Sequence, residues 1–184
     1  HARDAMGLGE GDVGVTKHEA VVEQRSIALE SSVQGILDSE PGALLEKVET
    51  IRDQEQSALV QLSERRPPAD ARANRQVNHA VALSLLGRPQ TDRLIGLLDQ
   101  VQVTPAVCRN FEAALRADSD AVKRLSEPIG DQEKKMSDAS RARQIILLAQ
   151  LGEFDLWRQA AENKGNPSLR AAIVHQFADW HGNL

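Results

Sequence analysis

The chain returns to the same short patterns at a nearly constant interval, and that interval narrows the folds open to it. Gly35-Ile36-Leu37-Asp38 comes back as Gly96-Leu97-Leu98-Asp99, 61 positions later. Ala58-Leu59-Val60-Gln61-Leu62-Ser63-Glu64 comes back as Ala121-Val122-Lys123-Arg124-Leu125-Ser126-Glu127 at an offset of 63. Ala82-Leu83-Ser84-Leu85-Leu86-Gly87 comes back as Leu147-Leu148-Ala149-Gln150-Leu151-Gly152 at an offset of 65. The order is kept and the offset drifts by a few residues, which places the insertions in loops. Stacked helical units have this signature, because one unit cannot bury its own apolar face and needs a neighbour. What recurs is aliphatic residues, stop glycines and single acids (Asp38 with Asp99, Glu64 with Glu127), with no shared histidine or cysteine beside them, so the pattern copies packing rather than chemistry.

Local punctuation agrees with helices throughout. Thr16-Lys17-His18-Glu19 has capping-box spacing, and Val22, Leu29, Val33, Ile36 and Leu37 follow at a helical period. Pro41 suits the first turn of a second helix, which Leu44, Leu45, Val48 and Ile51 line, with a break predicted over 52–56. After a turn at 64–70, a long helix with Val77, Val81 and Leu85 on one face ends at Gly87, a residue that closes helices in the left-handed conformation. Thr91 and Thr104-Pro105 are placed to open the next two helices. A short helix over Ala121, Val122 and Leu125 precedes a loop from Pro128 to Lys135; Ser137 caps the counterpart of the 70–86 helix, and Gly152 ends it. A last pair starts near Glu153 and at Asn166-Pro167. No stretch alternates over strand length. The expectation is an all-α protein, an α-solenoid of stacked antiparallel helix pairs. Residues 1–15 would form a glycine-rich flexible leader and 16–184 one helical domain, with units near 30–93 and 94–157 and a partial unit at 158–184.

Composition excludes several functions. Three Phe, two Trp and no Tyr leave few platforms for stacking bases, and a net charge of −5 opposes binding to phosphate backbones. The single cysteine, Cys108, precludes an internal disulfide and reads as an inert helical thiol. No run is long and apolar enough for a membrane span. Gly7-x-Gly9-x-Gly11 lacks the spacing and the preceding strand of a phosphate loop.

The segments Ile36-Leu37-Asp38-Ser39-Glu40-Pro41, Arg72-Ala73-Asn74-Arg75, Ala82-Leu83-Ser84-Leu85-Leu86-Gly87-Arg88-Pro89 and Asn166-Pro167-Ser168-Leu169-Arg170-Ala171-Ala172-Ile173-Val174-His175-Gln176-Phe177 together resemble a HEAT-like helical segment. That segment occurs in large bacterial multidomain proteins, beside a serine/threonine protein kinase domain, a formylglycine-generating (sulfatase-modifying) type domain, or both. The resemblance covers roughly residues 30–184. It implies a non-catalytic spacer or interaction module between enzyme domains, with no catalytic, cofactor or metal residues to carry over; the start at His1 rather than Met is read as that of a piece excised from a longer or membrane-anchored protein. It assigns no compartment.

Charge divides the chain. Residues 1–64 carry a net −8 and residues 65–184 a net +3. Arg65, Arg66, Arg72, Arg75, Arg88 and Arg93 form the densest basic group, and Arg141 and Arg143 lie on the predicted 137–151 helix. Two readings stay open. The arginines present a surface for an acidic or phosphorylated protein partner, since guanidinium forks match phosphate oxygens; or they pair internally with the acidic first half. Two other functions stand as alternatives. One is a metal-dependent or hydrolytic enzyme using His79, His175 or His181, the last two with Asp179 between them. The other is a nucleic-acid-binding helical repeat. His79 is expected to be partly exposed, and Trp157 to be core.

Overall fold

The computed structural model describes residues 11–130, 136–162 and 166–180, and every regular element among them is helical. The protein is all-α. Helix α1 runs Gly11–Leu37; a 3-10 turn at Pro41–Ala43 leads into α2, Leu44–Glu49; a second at Arg52–Gln54 leads into α3, Glu55–Glu64. Then come α4, Ala73–Leu85; α5, Thr91–Leu97; α6, Pro105–Arg116; α7, Ala121–Gly130; α8, Asp138–Gln150; α9, Asp155–Glu162; and α10, Pro167–Trp180. Among the described residues no helix is long and apolar enough to cross a membrane.

Several starts and stops follow the punctuation. Thr104 accepts from the Val107 amide (3.3 Å), Ser137 from Ser140 (3.1 Å) and Asn166 from Leu169 (3.0 Å), each satisfying an amide that the first turn leaves open. Gly87 and Gly152 both take positive φ, 81° and 99°. The closures they allow are alike: Arg88 N–H donates to the Leu83 carbonyl and Glu153 N–H to the Leu148 carbonyl, both at 2.9 Å.

Other expectations need correction. Helix α1 begins at Gly11, within the stretch expected to be a leader, and Thr16 lies inside it rather than capping it; residues 1–10 fall outside the described residues. A Thr-x-x-Glu spacing permits a cap without compelling one. Val22 is 53% exposed, and α1 enters the core only from Leu29 onward. Thr91 caps nothing: its buried hydroxyl donates to the Asp118 carboxylate, because an ionised acceptor outcompetes the backbone of its own first turn. Helix α7 runs through Pro128 to Gly130 where a loop is expected: proline's fixed φ is compatible with a helix, and the amide hydrogen bond its ring removes falls in the last turn.

The same pairings occur twice along the chain. Helix α1 meets α3 as α5 meets α7; α3 meets α4 as α7 meets α8; α4 meets α5 and α6 as α8 meets α9 and α10. Polar links match at the 65-residue offset too. Asn78 on α4 donates to the carbonyls of Leu37 (3.3 Å) and Ser39 (2.7 Å), while Arg143 on α8 donates to the carbonyl of Leu98. Arg75 reaches Asp38, and Ser140 donates to Asp99. In each case a side chain of a central helix holds the carbonyl end of an earlier one.

Helix α4 packs against α1, α2, α3, α5 and α6. Residues 77–84 are accordingly buried one after another, His79 among them. Ala80, Ala82 and Ser84 keep the helix slim enough for this many neighbours. Helix α8 is similarly enclosed, with 144–149 buried in sequence.

Candidate functional site

The chain leaves α3 at Glu64, turns at Arg65 and runs on to the buried Pro67, and the two arginines between Glu64 and Pro67 go different ways. Arg65 folds back onto α1, where it pairs with Glu30 and donates to Gln34. Arg66 goes elsewhere. It lines a cleft of about 350 Å³ with Ser63, His79, Leu83, Arg88, Gln90 and Arg93. The left-handed turn at Gly87 delivers Arg88 to this cleft immediately after α4, and the first turn of α5 delivers Arg93.

Hydrogen bonds fix two of the three arginines. Ser63 gives its proton to the Leu59 carbonyl (2.7 Å) and accepts from Arg88 (2.8 Å). His79 Nε2 lies 2.8 Å from the Leu62 carbonyl, which can only accept, so Nε2 carries the hydrogen. Nδ1 therefore holds a lone pair, and Arg93 donates to it at 2.7 Å. This arrangement requires a neutral imidazole. Burial lowers the His79 pKa from its ordinary value, the bond to Leu62 opposes that, and the charges of Arg93 and Arg66 lower it further. Burial and then the charge of Arg66 lower the Arg93 pKa as well.

Among the described residues no carboxylate lines the cleft, and Arg66, Arg88 and Arg93 make no ion pair there. Asp92, next to Arg93 in sequence, pairs with Arg124 at 3.0 Å. Glu55 turns its carboxylate toward Gly87, 3.6 Å from where a Cβ would stand there. Three cations with no counter-ion and a water-shy floor at Leu83 attract an anion.

The remaining arginines of the predicted group do not join them. Arg72 and Arg75 line a separate depression of about 650 Å³ that also contains Asp38, Glu40 and Asp70, and Arg75 lies 3.6 Å from Asp38. Arg143 turns inward to the Leu98 carbonyl, Asp99 and Gln176; Arg141 is half-buried beside it on α8. The predicted basic group thus divides between internal ion pairs and a shared cleft. Arg65 and Arg75 pair with acids of the first half of the chain, Glu30 and Asp38, and Arg66, Arg88 and Arg93 line one cleft.

The histidines are scattered. His79 is 1% exposed, against the expectation of partial exposure, and both ring nitrogens are engaged. His175 is exposed on α10, His181 lies outside the described residues, and so does the side chain of Asp179. Among the described residues no three His, Cys, Asp or Glu side chains are grouped to hold a metal ion. Cys108 is buried. Trp157 is half-buried, its ring centroid 5.4 Å from that of Phe177.

One sequence signal for the buried histidine was present. His79 and Gln144 are 65 apart, each the last polar residue before an apolar run, and both are buried. Compared with protein-family models, with curated proteins and with solved structures, the chain matches none.

Proposed function

We propose that the protein is a non-catalytic helical repeat module, an α-solenoid of HEAT-like kind. In this reading it spaces domains or holds a protein partner, and the contact is made where Arg66, Arg88 and Arg93 meet an acidic or phosphorylated segment. The observation that carries the reading is the cleft itself: three arginines without a carboxylate among its lining residues. The matched helix pairings and matched carbonyl links support the solenoid part, as does the resemblance to HEAT-like segments of bacterial multidomain proteins. Stacked units of this sort create long surfaces and leave interior positions to aliphatic residues. An enzymatic role for the histidines has less support, because both ring nitrogens of His79 are engaged and His175 is exposed on α10. A nucleic-acid role would call for a continuous basic groove, whereas α3, whose end forms one side of the cleft, carries Glu55 and Glu64 and no basic residue.

The test is retention of peptides on an array of acidic, phosphorylated and neutral sequences. The wild-type chain should retain acidic or phosphorylated members, less so as salt rises, and the R66E/R88E variant should lose them. Both residues are exposed, so the variant is expected to fold. Retention that ignores both salt and the double substitution, or none above the neutral set, would count against the reading.

A further inference from the structure

We propose that the cleft between the end of α3, the middle of α4 and the start of α5 is a site for a phosphomonoester group, gripped by Arg66, Arg88 and Arg93. This deepens the interaction reading and rests on it for the source of the group. Four observations combine.

First, the site presents donors and hardly any acceptors. His79 Nδ1 is occupied by Arg93, its Nε2 is a donor, and the Ser63 oxygen already accepts from Arg88. Each of Arg88 and Arg93 uses one of its five N–H groups in being positioned, which leaves the others for a ligand. Second, the positioning is built into the fold. Arg93 is held by a 1% exposed histidine, itself tied to the Leu62 carbonyl, and Arg88 by a serine whose proton is committed to Leu59.

Third, the charge count favours a dianion. A carboxylate brings one charge and two oxygens, and one guanidinium fork satisfies it. A phosphomonoester brings between one and two negative charges at neutral pH and three terminal oxygens, enough to engage three cations. Fourth, the positive field is local. Glu64 and Asp92 flank the arginines in sequence, and Glu55 faces Gly87. A run of phosphates, as in a nucleic acid, would meet carboxylates on either side, whereas a single phosphoryl group would not.

The experiment titrates the full chain with phenyl phosphate, benzoate, inorganic phosphate and a short phosphoserine peptide with its serine parent, observing arginine Nε–H resonances by NMR. Phenyl phosphate should shift the Arg88 and Arg93 signals saturably and bind about tenfold or more tightly than benzoate. R66Q and R88Q should each weaken it by about tenfold, the loss of one charge-assisted contact. R109Q, at an exposed arginine outside the cleft, should leave it unchanged. Benzoate binding equal to phenyl phosphate, or affinity unaltered in R66Q and R88Q, overturns the site. The peptide arm identifies the source: a phosphoserine peptide that outbinds inorganic phosphate places the group on a protein partner. Equal affinity for inorganic phosphate keeps the site but removes the interaction reading. Serine and phosphoserine peptides binding alike through these arginines would do the reverse, overturning the phosphoryl site and leaving the interaction reading intact.

Discussion

A single substitution, Gly→Ala, should change sign between two kinds of position. Gly87 and Gly152 follow α4 and α8 with φ of +81° and +99°. Gly35 and Gly96 lie near the ends of α1 and α5 without a positive φ. Space does not separate the two kinds. An added Cβ meets nothing within 4 Å at Gly35, Gly96 or Gly152, and only Glu55 Oε1 at an ordinary 3.6 Å at Gly87. What differs is the backbone. A Cβ in the left-handed region costs roughly 1–2 kcal/mol, partly offset by about 0.4–1 kcal/mol from the reduced freedom of the unfolded chain. G87A and G152A should therefore each destabilise by about 1 kcal/mol. In a helix the same change favours folding by roughly 0.5–1 kcal/mol, so G35A and G96A should stabilise. Urea denaturation followed by far-UV circular dichroism reads the difference. With a slope of about 1–3 kcal/mol per molar, the two classes should separate by about one molar in midpoint at unchanged slope. Equal midpoints for all four variants, or G87A more stable than wild type, would refute the strain account.

Two further outcomes follow from the interior. His79 is held neutral, and its folded pKa lies below the ordinary 6.5. The unfolded chain therefore takes up the proton first, and the stability that His79 contributes is complete above that value and falls as pH drops below it. H79Q, which can still donate to Leu62 and accept from Arg93, should flatten the pH dependence of the midpoint between about pH 7.5 and 5; identical slopes in the two proteins would contradict the neutral-imidazole geometry. Phe111, 1% exposed on α6, should cost roughly 3–5 kcal/mol when cut to alanine, and a calorimetric loss under about 1 kcal/mol would mean that the site is not packed as described.

The boundaries that proved legible were those whose chemistry is local. Thr104-Pro105, Ser137 and Asn166-Pro167 cap because the groups they satisfy are three residues away, and Gly87 and Gly152 stop helices by their own backbone freedom. Thr91 misled because its partner, Asp118, stands 27 residues further on. His79 misled for a different reason. Helical periodicity separates a wet face from a dry one, and α4 has no wet face over 77–84. The arginines showed as a group in the sequence, but their division depended on how the chain turns at Arg65, where α3 ends, and on which neighbours α4 collects. Neither is encoded in the spacing of the arginines themselves.

The enclosure of α4 also shapes what the cleft demands of a ligand. One wall belongs to a helix packed by five others, and Arg93 is braced from behind by His79. The opposite rim is carried by Arg66 and Arg88, exposed and outside any helix. In the proposed site Arg88 and Arg93 are already held, by Ser63 and His79, so the side-chain entropy lost on binding falls chiefly on Arg66. Such a site behaves as an anvil with one finger: the fixed floor sets how deep a group can seat, and Arg66 closes over it.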